Sequence, residues 1–211
     1  MNTNEIGVIG FGYVGEAVVH SINPPFDSKI MDPEKGLHTT YDEIRNCEAV
    51  FICVPSPTVD GVCDTSILSK VLDNLKDYKG VIISKVTAPP KFYEEKSVDF
   101  PNLVYVPEFL TAERNIGDYV NATWTIIGGT VSAYGREAAR IIKYTQTEIK
   151  HLEFCPIGEA AMLKYIINSF LATKVVFMNE MKQLSDKHNY EWGQLEKFLK
   201  IDHRIGPSSY H

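Results

Sequence analysis

The stretch that decides the fold is GVIGFGYVG, residues 7–15, which carries Gly10, Gly12 and Gly15. It follows an apolar run that predicts a buried strand (6–10) and opens a segment of helical periodicity (13–22). Strand, glycine turn and helix in this order are the context in which Gly-x-Gly-x-x-Gly binds a dinucleotide. The alternative is a glycine-rich turn without a ligand, because glycines cluster in turns for other reasons.

Each glycine of this turn has its own physical reason. Gly10 permits the tight turn, Gly12 lets a pyrophosphate approach the main chain, and Gly15 lets helix and strand pack closely. The free N–H groups at the start of the helix favour an anion. The turn therefore predicts a cofactor site formed by Gly10, Phe11, Gly12, Tyr13, Val14 and Gly15.

An acidic residue closes the next predicted strand, SKIMD (28–32). At this place a carboxylate holds the ribose hydroxyls of the adenosine and repels a 2′-phosphate, so Asp32 favours NAD over NADP. Lys35 follows three residues later and is assigned to the same site. Its positive charge acts in the opposite sense and leaves NADP as an alternative.

Short apolar runs alternate with helical patterns through the first part of the chain. Further strands are predicted at 48–55, 80–86, 102–109, 123–129 and 147–153, and helices at 39–46, 64–78 and 132–145. This alternation predicts an α/β fold, a Rossmann-type doubly wound parallel sheet with helices on both faces.

A long central helix is predicted after the sheet. Residues 158–188 form one helical pattern, apolar on nearly its whole circumference from 160 to 178, and a second helix follows at 191–200. A helix that is apolar all round is buried in a core or between subunits. We therefore expect an NAD-binding Rossmann domain at 1–150 and a helical dimerisation region at 151–211.

Composition excludes several classes of partner. The net charge is −6, which repels phosphate backbones and argues against nucleic acid. The four cysteines form no Cys-x-x-Cys pair, so no metal or redox motif is indicated, and reduced thiols suit a cytoplasmic protein. The N-terminus has no signal-peptide pattern, and no uninterrupted apolar run approaches the ~20 residues of a membrane span.

Two proline-containing loops follow predicted strands. VPSPT (54–58) and KVTAPP (85–90) both stand where strands end, at the sheet edge where ligands bind in this architecture. Thr87 offers a hydroxyl beside a nicotinamide. For VPSPT alone, a rigid structural turn explains the loop equally well. For KVTAPP alone, a threonine at a strand end before prolines is more often only structural.

Three further residues are candidates for chemistry. Glu108 lies between Pro107 and Phe109 at a strand end, and its carboxylate suits acid–base catalysis. A carboxylate that stabilises the dipole at the start of a helix explains it equally well. Lys164 and Asn168 are four residues apart on one face of the long helix. They suit stabilisation of an oxyanion and binding of a hydroxyl; a lysine that extends to the surface and a structural asparagine are the alternative.

Several segments together resemble the UDP-glucose/GDP-mannose dehydrogenase family, and most resemble its UDP-glucose 6-dehydrogenase branch. They occur in the family's order across essentially the whole chain: GVIGFGYVG, VPSPT, KVTAPP, VPEFL, LKYIINSFLATKVVFMNE and DHRIGP. The resemblance implies oxidation of a nucleotide sugar such as UDP-glucose at C6, with two NAD per turnover. It also implies a homodimer formed through the long helix.

The resemblance implies a role for each matching residue. It places at the NAD site Gly10 to Gly15, Asp32, Val54, Pro55, Ser56, Pro57, Thr58, Val86, Thr87 and Ala88. It implies catalytic roles for Thr87, Glu108, Lys164 and Asn168. It implies substrate contacts for Glu108, Phe109, Leu110, Lys164, Asn168 and Arg204.

The chain departs from the family pattern at a few places. Ala112 stands where the family often has a second glutamate, with Glu113 next to it, and Ala161 replaces an acid before the lysine. The family's catalytic cysteine lies in a segment after RIGP that this sequence does not contain, so we expect a truncated N-terminal portion that does not complete the reaction alone. A β-hydroxyacid dehydrogenase and a non-catalytic NAD-binding or dimerisation module are the alternative readings.

Overall fold

Strands and helices alternate in residues 4–203 and 205, the part of the chain that the computed structural model describes. The strands are β1 (Glu5–Ile9), β2 (Asp27–Asp32), β3 (Leu37–His38), β4 (Ala49–Ile52), β5 (Thr58–Val59), β6 (Val62–Cys63), β7 (Val81–Ser84), β8 (Leu103–Tyr105), β9 (Trp124–Gly128) and β10 (His151–Cys155). The helices are α1 (Tyr13–Ser21), α2 (Tyr41–Ile44), α3 (Ser66–Asn74), α4 (Pro90–Asp99), α5 (Asn115–Val120), α6 (Ala133–Thr145), α7 (Ile157–Lys187) and α8 (Trp192–Ile201).

One sheet contains all strands except the β5–β6 hairpin, in the order β10-β9-β8-β7-β4-β1-β2-β3. From β3 to β8 this is the strand order of dinucleotide-binding domains. In these domains the strand order reverses next to the first strand, at the topological switch point. The predicted Rossmann-type α/β class is therefore confirmed. The carboxyl ends of β1, β2, β4 and β7 meet at one edge, which is where the glycine turn lies.

The sheet is mainly parallel, and two of its strand pairs are antiparallel. β3 pairs antiparallel with β2, because a short 3-10 turn (Pro33–Lys35) sends the chain straight back instead of through a crossover helix. β9 pairs antiparallel with β8, since the segment 106–123 stays at the edge where β8 ends. Parallel pairing needs a crossover to the opposite edge, and this connection makes none.

The core lies on both faces of the sheet. Every residue of β4 and β7 is buried, which explains why their sequences are apolar without alternation. Helix α3 contributes Leu68 and Leu72 to one buried cluster of the core. Helix α6 contributes Ile141 and Ile142 to the other. Full burial of such a side chain contributes about 1.5–3 kcal/mol, so these helices are held to the sheet mainly by apolar contact.

Helices α4 and α5 were not predicted from the sequence. α4 begins with Pro89 as its N-cap and Pro90 in its first turn, but among its residues only Tyr93 is fully buried, so its apolar periodicity is weak. α5 is six residues long and follows a 3-10 turn. Prolines at a helix start were the one available signal for α4.

Two compact units divide the chain between Lys164 and Tyr165, within α7. The first holds the sheet and its helices, together with the first turns of α7. The second holds the remainder of α7 and α8, which enclose an apolar cavity of about 620 Å³ lined by residues such as Leu184, Trp192 and Phe198. β10 belongs to the sheet, so the sheet continues past residue 150; the division into 1–150 and 151–211 stays a prediction.

Helix α7 is long and apolar enough to cross a membrane by length and hydropathy alone. The sequence analysis did not anticipate this, because it judged the apolar run to be interrupted by polar residues. A central helix of a water-soluble enzyme passes the same test, and Ile157, Ala160 and Ala161 pack into the core of the sheet domain. Length and composition therefore do not assign α7 to a membrane.

A buried tyrosine of α4 supports the end of β7. The Tyr93 hydroxyl donates to Val86 O at 2.5 Å and lies 2.7 Å from Ser84 Oγ. Its ring stacks on Tyr105 with 4.4 Å between centroids. These contacts hold the strand end from which residues 85–88 emerge.

Tyr93→Phe is expected to destabilise the protein by about 1–3 kcal/mol, because Val86 O would lose its buried donor. Chemical denaturation measures the loss, with Tyr134→Phe on α6, outside this network, as the matched control. Equal stability of the two variants would contradict the assignment.

Candidate cofactor cleft and active site

The glycine turn is built by two close backbone approaches. Gly10 has φ +91°, and a Cβ there would lie 2.7 Å from Cys53 O. A Cβ on Gly15 would lie 2.0 Å from Gly10 O. Gly12, the N-cap of α1, would place a Cβ with nothing within 4 Å. Two glycines therefore let α1 pack against β1 and β4, while the third leaves open space in front of the helix.

Asp32 and Lys35 both contact the turn. The Phe11 N–H donates to Asp32 Oδ2 at 2.7 Å, and Lys35 Nζ donates to Phe11 O at 2.5 Å. Lys35 Nζ also lies 5.6 Å from the centroid of the Phe11 ring. Among the described residues Asp32 Oδ1 accepts no hydrogen bond, so this oxygen is available to a ribose hydroxyl.

The turn forms one wall of a cleft of about 380 Å³. Its lining residues are Gly10, Phe11, Gly12, Tyr13, Val14, Asp32, Glu34, Lys35, Cys53, Val54, Pro55, Ser56, Lys85, Val86, Thr87 and Glu108. The cleft thus brings together most of the predicted cofactor residues. Gly15, Pro57, Thr58 and Ala88 are not among them. Gly15 lies against the Gly10 carbonyl, and Thr58 pairs with Cys63 in the β5–β6 hairpin. Ala88 is fully buried in the core. The assignment of these four residues to the cofactor site stays a prediction.

Thr87 holds the two proline loops together. Its carbonyl oxygen accepts from Ser56 Oγ at 2.7 Å, and Cys63 Sγ lies 3.8 Å away. The loops after β4 and β7 therefore form one surface at the carboxyl edge of the sheet. Thr87 lines the cleft, and its place beside a nicotinamide stays a prediction.

Glu108 and Lys164 form a buried ion pair. Lys164 Nζ lies 3.0 Å from Glu108 Oε1 and also donates to Glu108 O, and the Leu110 N–H donates to Oε2 at 2.9 Å. The Lys164 side chain is 5% exposed and the Glu108 side chain 15%. Both carboxylate oxygens and two of the three ammonium donors are thus engaged. The two residues stand 56 positions apart in the chain, and α7 brings them together.

Lys85 directly follows β7 and lies in the quoted segment KVTAPP, but the sequence did not single it out as a site residue. It is 3% exposed, and its Nζ has no hydrogen-bond partner within residues 4–203 and 205. Burial lowers the pKa of Lys85 to about 8, while Cys53 and Glu108 oppose this shift and Lys164 adds to it. A lysine directly after a strand that is apolar on both faces was the available signal.

Cys53 ends up beside Lys85 in the floor of the cleft. Burial raises the pKa of the Cys53 thiol to about 12, and the Lys85 charge lowers it only in part. The thiol therefore stays protonated at neutral pH and is a poor nucleophile. Within the described residues, no group of His, Cys, Asp and Glu side chains is arranged to hold a metal ion.

A second and larger cavity, of about 810 Å³, is also lined by Glu108. Phe109 and Leu110 line it, together with Glu113 and Trp124. The Phe109 and Trp124 rings lie 4.6 Å apart between centroids. Glu108 lines both cavities, so this carboxylate stands where a molecule in one would meet a molecule in the other.

Two predicted site residues are not placed in the cleft. Asn168 is exposed and lies one turn after Lys164 on α7, in the second unit of the chain. Arg204 lies outside the described residues.

The cleft fits a dinucleotide on its own geometry. Open space at Gly12 faces the N-terminus of α1, where main-chain N–H groups and the helix dipole favour a pyrophosphate. Asp32 ends β2 on one side of this point, and Thr87 follows β7 on the other. The two nucleosides of NAD require such sites on opposite sides of the phosphates.

Gly12→Val is expected to weaken NADH binding at least tenfold with little loss of stability, because its side chain fills the space of the pyrophosphate without touching protein. Gly15→Ala is the contrasting variant: its Cβ collides with Gly10 O, so it should lower the melting temperature. Fluorescence titration with NADH and thermal melts measure the two effects. Wild-type NADH affinity in Gly12→Val would refute the assignment of the turn.

Sequence models of one family match the chain in two places. The NAD binding domain of the UDP-glucose/GDP-mannose dehydrogenase family matches residues 31–146, more than half of the chain, and the central domain of that family matches residues 158–211. The first match begins after the glycine turn, so the assignment of the turn rests on its own geometry.

Known proteins agree with these matches. The UDP-glucose 6-dehydrogenase of Rickettsia bellii is 30% identical over 95% of this chain and 56% of its own length. A UDP-glucose dehydrogenase structure from Pyrobaculum islandicum superposes with a TM-score of 0.77 at 20% identity, over 98% of this chain and 58% of that one. A GDP-mannose dehydrogenase structure from Pseudomonas aeruginosa gives 0.73 at 18%, over 100% of this chain and 59% of that one.

The chain thus spans little more than half the length of these proteins. The structural likeness shows the shared fold, and the sequence matches carry the assignment. On the match of its NAD-binding and central domains, this chain belongs to the UDP-glucose/GDP-mannose dehydrogenase family.

Proposed function

We propose that this chain serves an NAD-dependent nucleotide-sugar 6-dehydrogenase of the UDP-glucose to UDP-glucuronate type. The observation that carries the proposal is the ion pair of Glu108 and Lys164 at the junction of the dinucleotide cleft and the larger cavity. An oxidation by NAD needs the cofactor and an alcohol side by side, with groups between them that manage a proton. The names of the relatives support UDP-glucose as the substrate.

The residues of the cleft hold the two reactants. Bound NAD supplies the hydride acceptor, the glycine turn binds its pyrophosphate, and Asp32 binds the adenosine ribose. Phe109 and Leu110 present main chain to the sugar nucleotide from the wall of the larger cavity. Asn168 is assigned a hydroxyl of the sugar, and Arg204 a contact to the substrate of a neighbouring subunit, both from family resemblance.

Glu108 and Lys164 manage the proton and the charge on the reacting oxygen. The Lys164 ammonium has three donors, of which two contact Glu108. The third is assigned to the C6 oxygen of the substrate, where it stabilises the negative charge that develops as the hydroxyl loses its proton. Glu108 accepts that proton, directly or through a water molecule held with the help of Thr87.

The residues of the cleft suit the first oxidation, from alcohol to aldehyde. The second oxidation needs a thiolate that adds to the aldehyde. Burial raises the pKa of Cys53 to about 12, so the thiol that lines the cleft does not fill that role. We therefore assign the alcohol oxidation to the described residues.

Lys164→Met is expected to lower NADH formation from NAD and UDP-glucose by about 10²–10³-fold, because the substrate oxyanion loses its donor. NADH binding should persist, since the glycine turn is untouched. Lys182→Met, an exposed change on α7, is the matched control. Absorbance of NADH in single-turnover mixtures measures the rate.

The same mixtures distinguish the alternatives. GDP-mannose in place of UDP-glucose tests the choice of sugar nucleotide. NADH formation from a small 3-hydroxy acid alone would favour a β-hydroxyacid dehydrogenase. NADH binding without turnover of any of these substrates would favour a non-catalytic module.

We also propose a homodimer formed through α7. Ile166, Phe170 and Phe177 are 56%, 63% and 55% exposed in the single chain, which is unusual for large apolar side chains of one helix. Such a surface is typical of a protein–protein interface.

Phe170→Glu is expected to shift the protein from dimer to monomer in sedimentation, because it places a charge in an apolar interface. Glu180→Gln on the same helix is a control that leaves the apolar residues intact. A monomeric wild-type protein would overturn the proposal.

A further inference from the structure

Lys85, one of the residues that line the cofactor cleft, carries a positive charge that no hydrogen bond compensates within the described residues. Lys85 Nζ is buried, with no hydrogen-bond partner in the described part of the chain. No ion pair of Lys85 is found within the described residues. The carboxylate of Glu108 is already held by Lys164 on one oxygen and by the Leu110 N–H on the other.

The other groups that face Lys85 compensate its charge only in part. Tyr119 of α5 presents its ring, with 5.0 Å from Nζ to the centroid, and Cys53 after β4 presents a protonated thiol. Lys164 of α7 adds a second positive charge, and Glu108 after β8 contributes a carboxylate that favours the charged form of Lys85. Two ammonium groups thus share one carboxylate. Burial of an unpaired charge costs stability, so this arrangement needs another explanation.

The position of Lys85 along the sheet relates it to one end of the cofactor. Asp32 ends β2, the glycine turn follows β1, and Lys85 follows β7, which lies beyond β4. Three strand spacings, roughly 14 Å, separate the ends of β2 and β7. With the adenosine at Asp32 and the phosphates at Gly12, the nicotinamide half occupies the side of Lys85.

We propose that Lys85 is a positioning charge that makes the cleft prefer NADH to NAD⁺ and thereby favours hydride transfer from substrate to cofactor. The oxidised nicotinamide ring carries a positive charge and the reduced ring is neutral, so a fixed ammonium nearby disfavours only the oxidised form. This inference rests on the proposed function and names a property of its cofactor site. Hydride transfer removes the repulsion, which makes the transfer more favourable.

The inference has a defined pH dependence. Because burial lowers the pKa of Lys85 to about 8, the side chain is charged below that pH and neutral above it. The preference for NADH is therefore present at low pH and lost as the pH rises through about 8. The residues that line the cleft include no histidine, whose titration would overlap with this window.

The test is a set of equilibrium titrations of the 211-residue chain with NAD⁺ and with NADH. The wild type, Lys85→Met and the control Lys143→Met, an exposed lysine of α6, are compared at about pH 6.5 and about pH 9.5. In the wild type the ratio of the NAD⁺ and NADH dissociation constants should fall about tenfold between the two pH values. Lys85→Met should show the low ratio at both, and Lys143→Met should follow the wild type.

Each contrary outcome has one meaning. A ratio in Lys85→Met equal to that of the wild type overturns the inference, and so does a wild-type ratio that does not change with pH. The wild-type pH series serves even where the variant does not fold, although removal of an unpaired buried charge should leave the melting temperature equal or higher. Failure of the wild type to bind either dinucleotide would instead refute the proposed function.

Discussion

The close approach of α1 to the ends of β1 and β4 is the constraint on which the rest of the cleft depends. A side chain on Gly15 would overlap Gly10 O, and one on Gly10 would meet the carbonyl of Cys53. These contacts leave no room for any residue larger than glycine, so the helix N-terminus reaches the edge of the sheet. The anion site, the place of Asp32 and the distance to the loops after β4 and β7 all follow from that position.

The charges in the cleft are arranged along the direction in which a dinucleotide would lie. At the adenosine end, Asp32 and Lys35 each form a hydrogen bond with the main chain of Phe11 in the turn. At the other end each carboxylate oxygen of Glu108 contacts one group, Lys164 or a main-chain N–H, and Lys85 Nζ has no hydrogen-bond partner within the described residues. The first end recognises a ribose, and the second end acts on the reacting atoms. A stable core would not require a buried unpaired ammonium, so its presence points to function.

Sequence patterns predicted the sheet and most of the cleft for identifiable reasons. Buried parallel strands are apolar throughout, and β4 and β7 are of that kind. The glycine spacing and the acid at the end of β2 are local features, read directly from adjacent residues. α4 and α5 were missed because they bury few apolar residues and so lack helical periodicity. Thr58 and Ala88 were assigned to the cofactor site from the family resemblance; the structure places Thr58 in a hairpin and Ala88 in the core, and their role stays a prediction.

The sequence by itself determined the fold class, the glycine turn and the acid that ends β2, because backbone conformation and apolar periodicity depend on neighbouring residues. Only the tertiary structure decided how the charges pair. Glu108 and Lys164 are 56 positions apart, and their contact depends on where α7 meets the sheet. The isolation of Lys85 is also a tertiary feature: the printed contacts of Glu108 go to Lys164 and to a main-chain N–H, while Lys85 Nζ has no hydrogen-bond partner within the described residues. Charge pairing depends on distances between distant segments, which no local pattern of residues records.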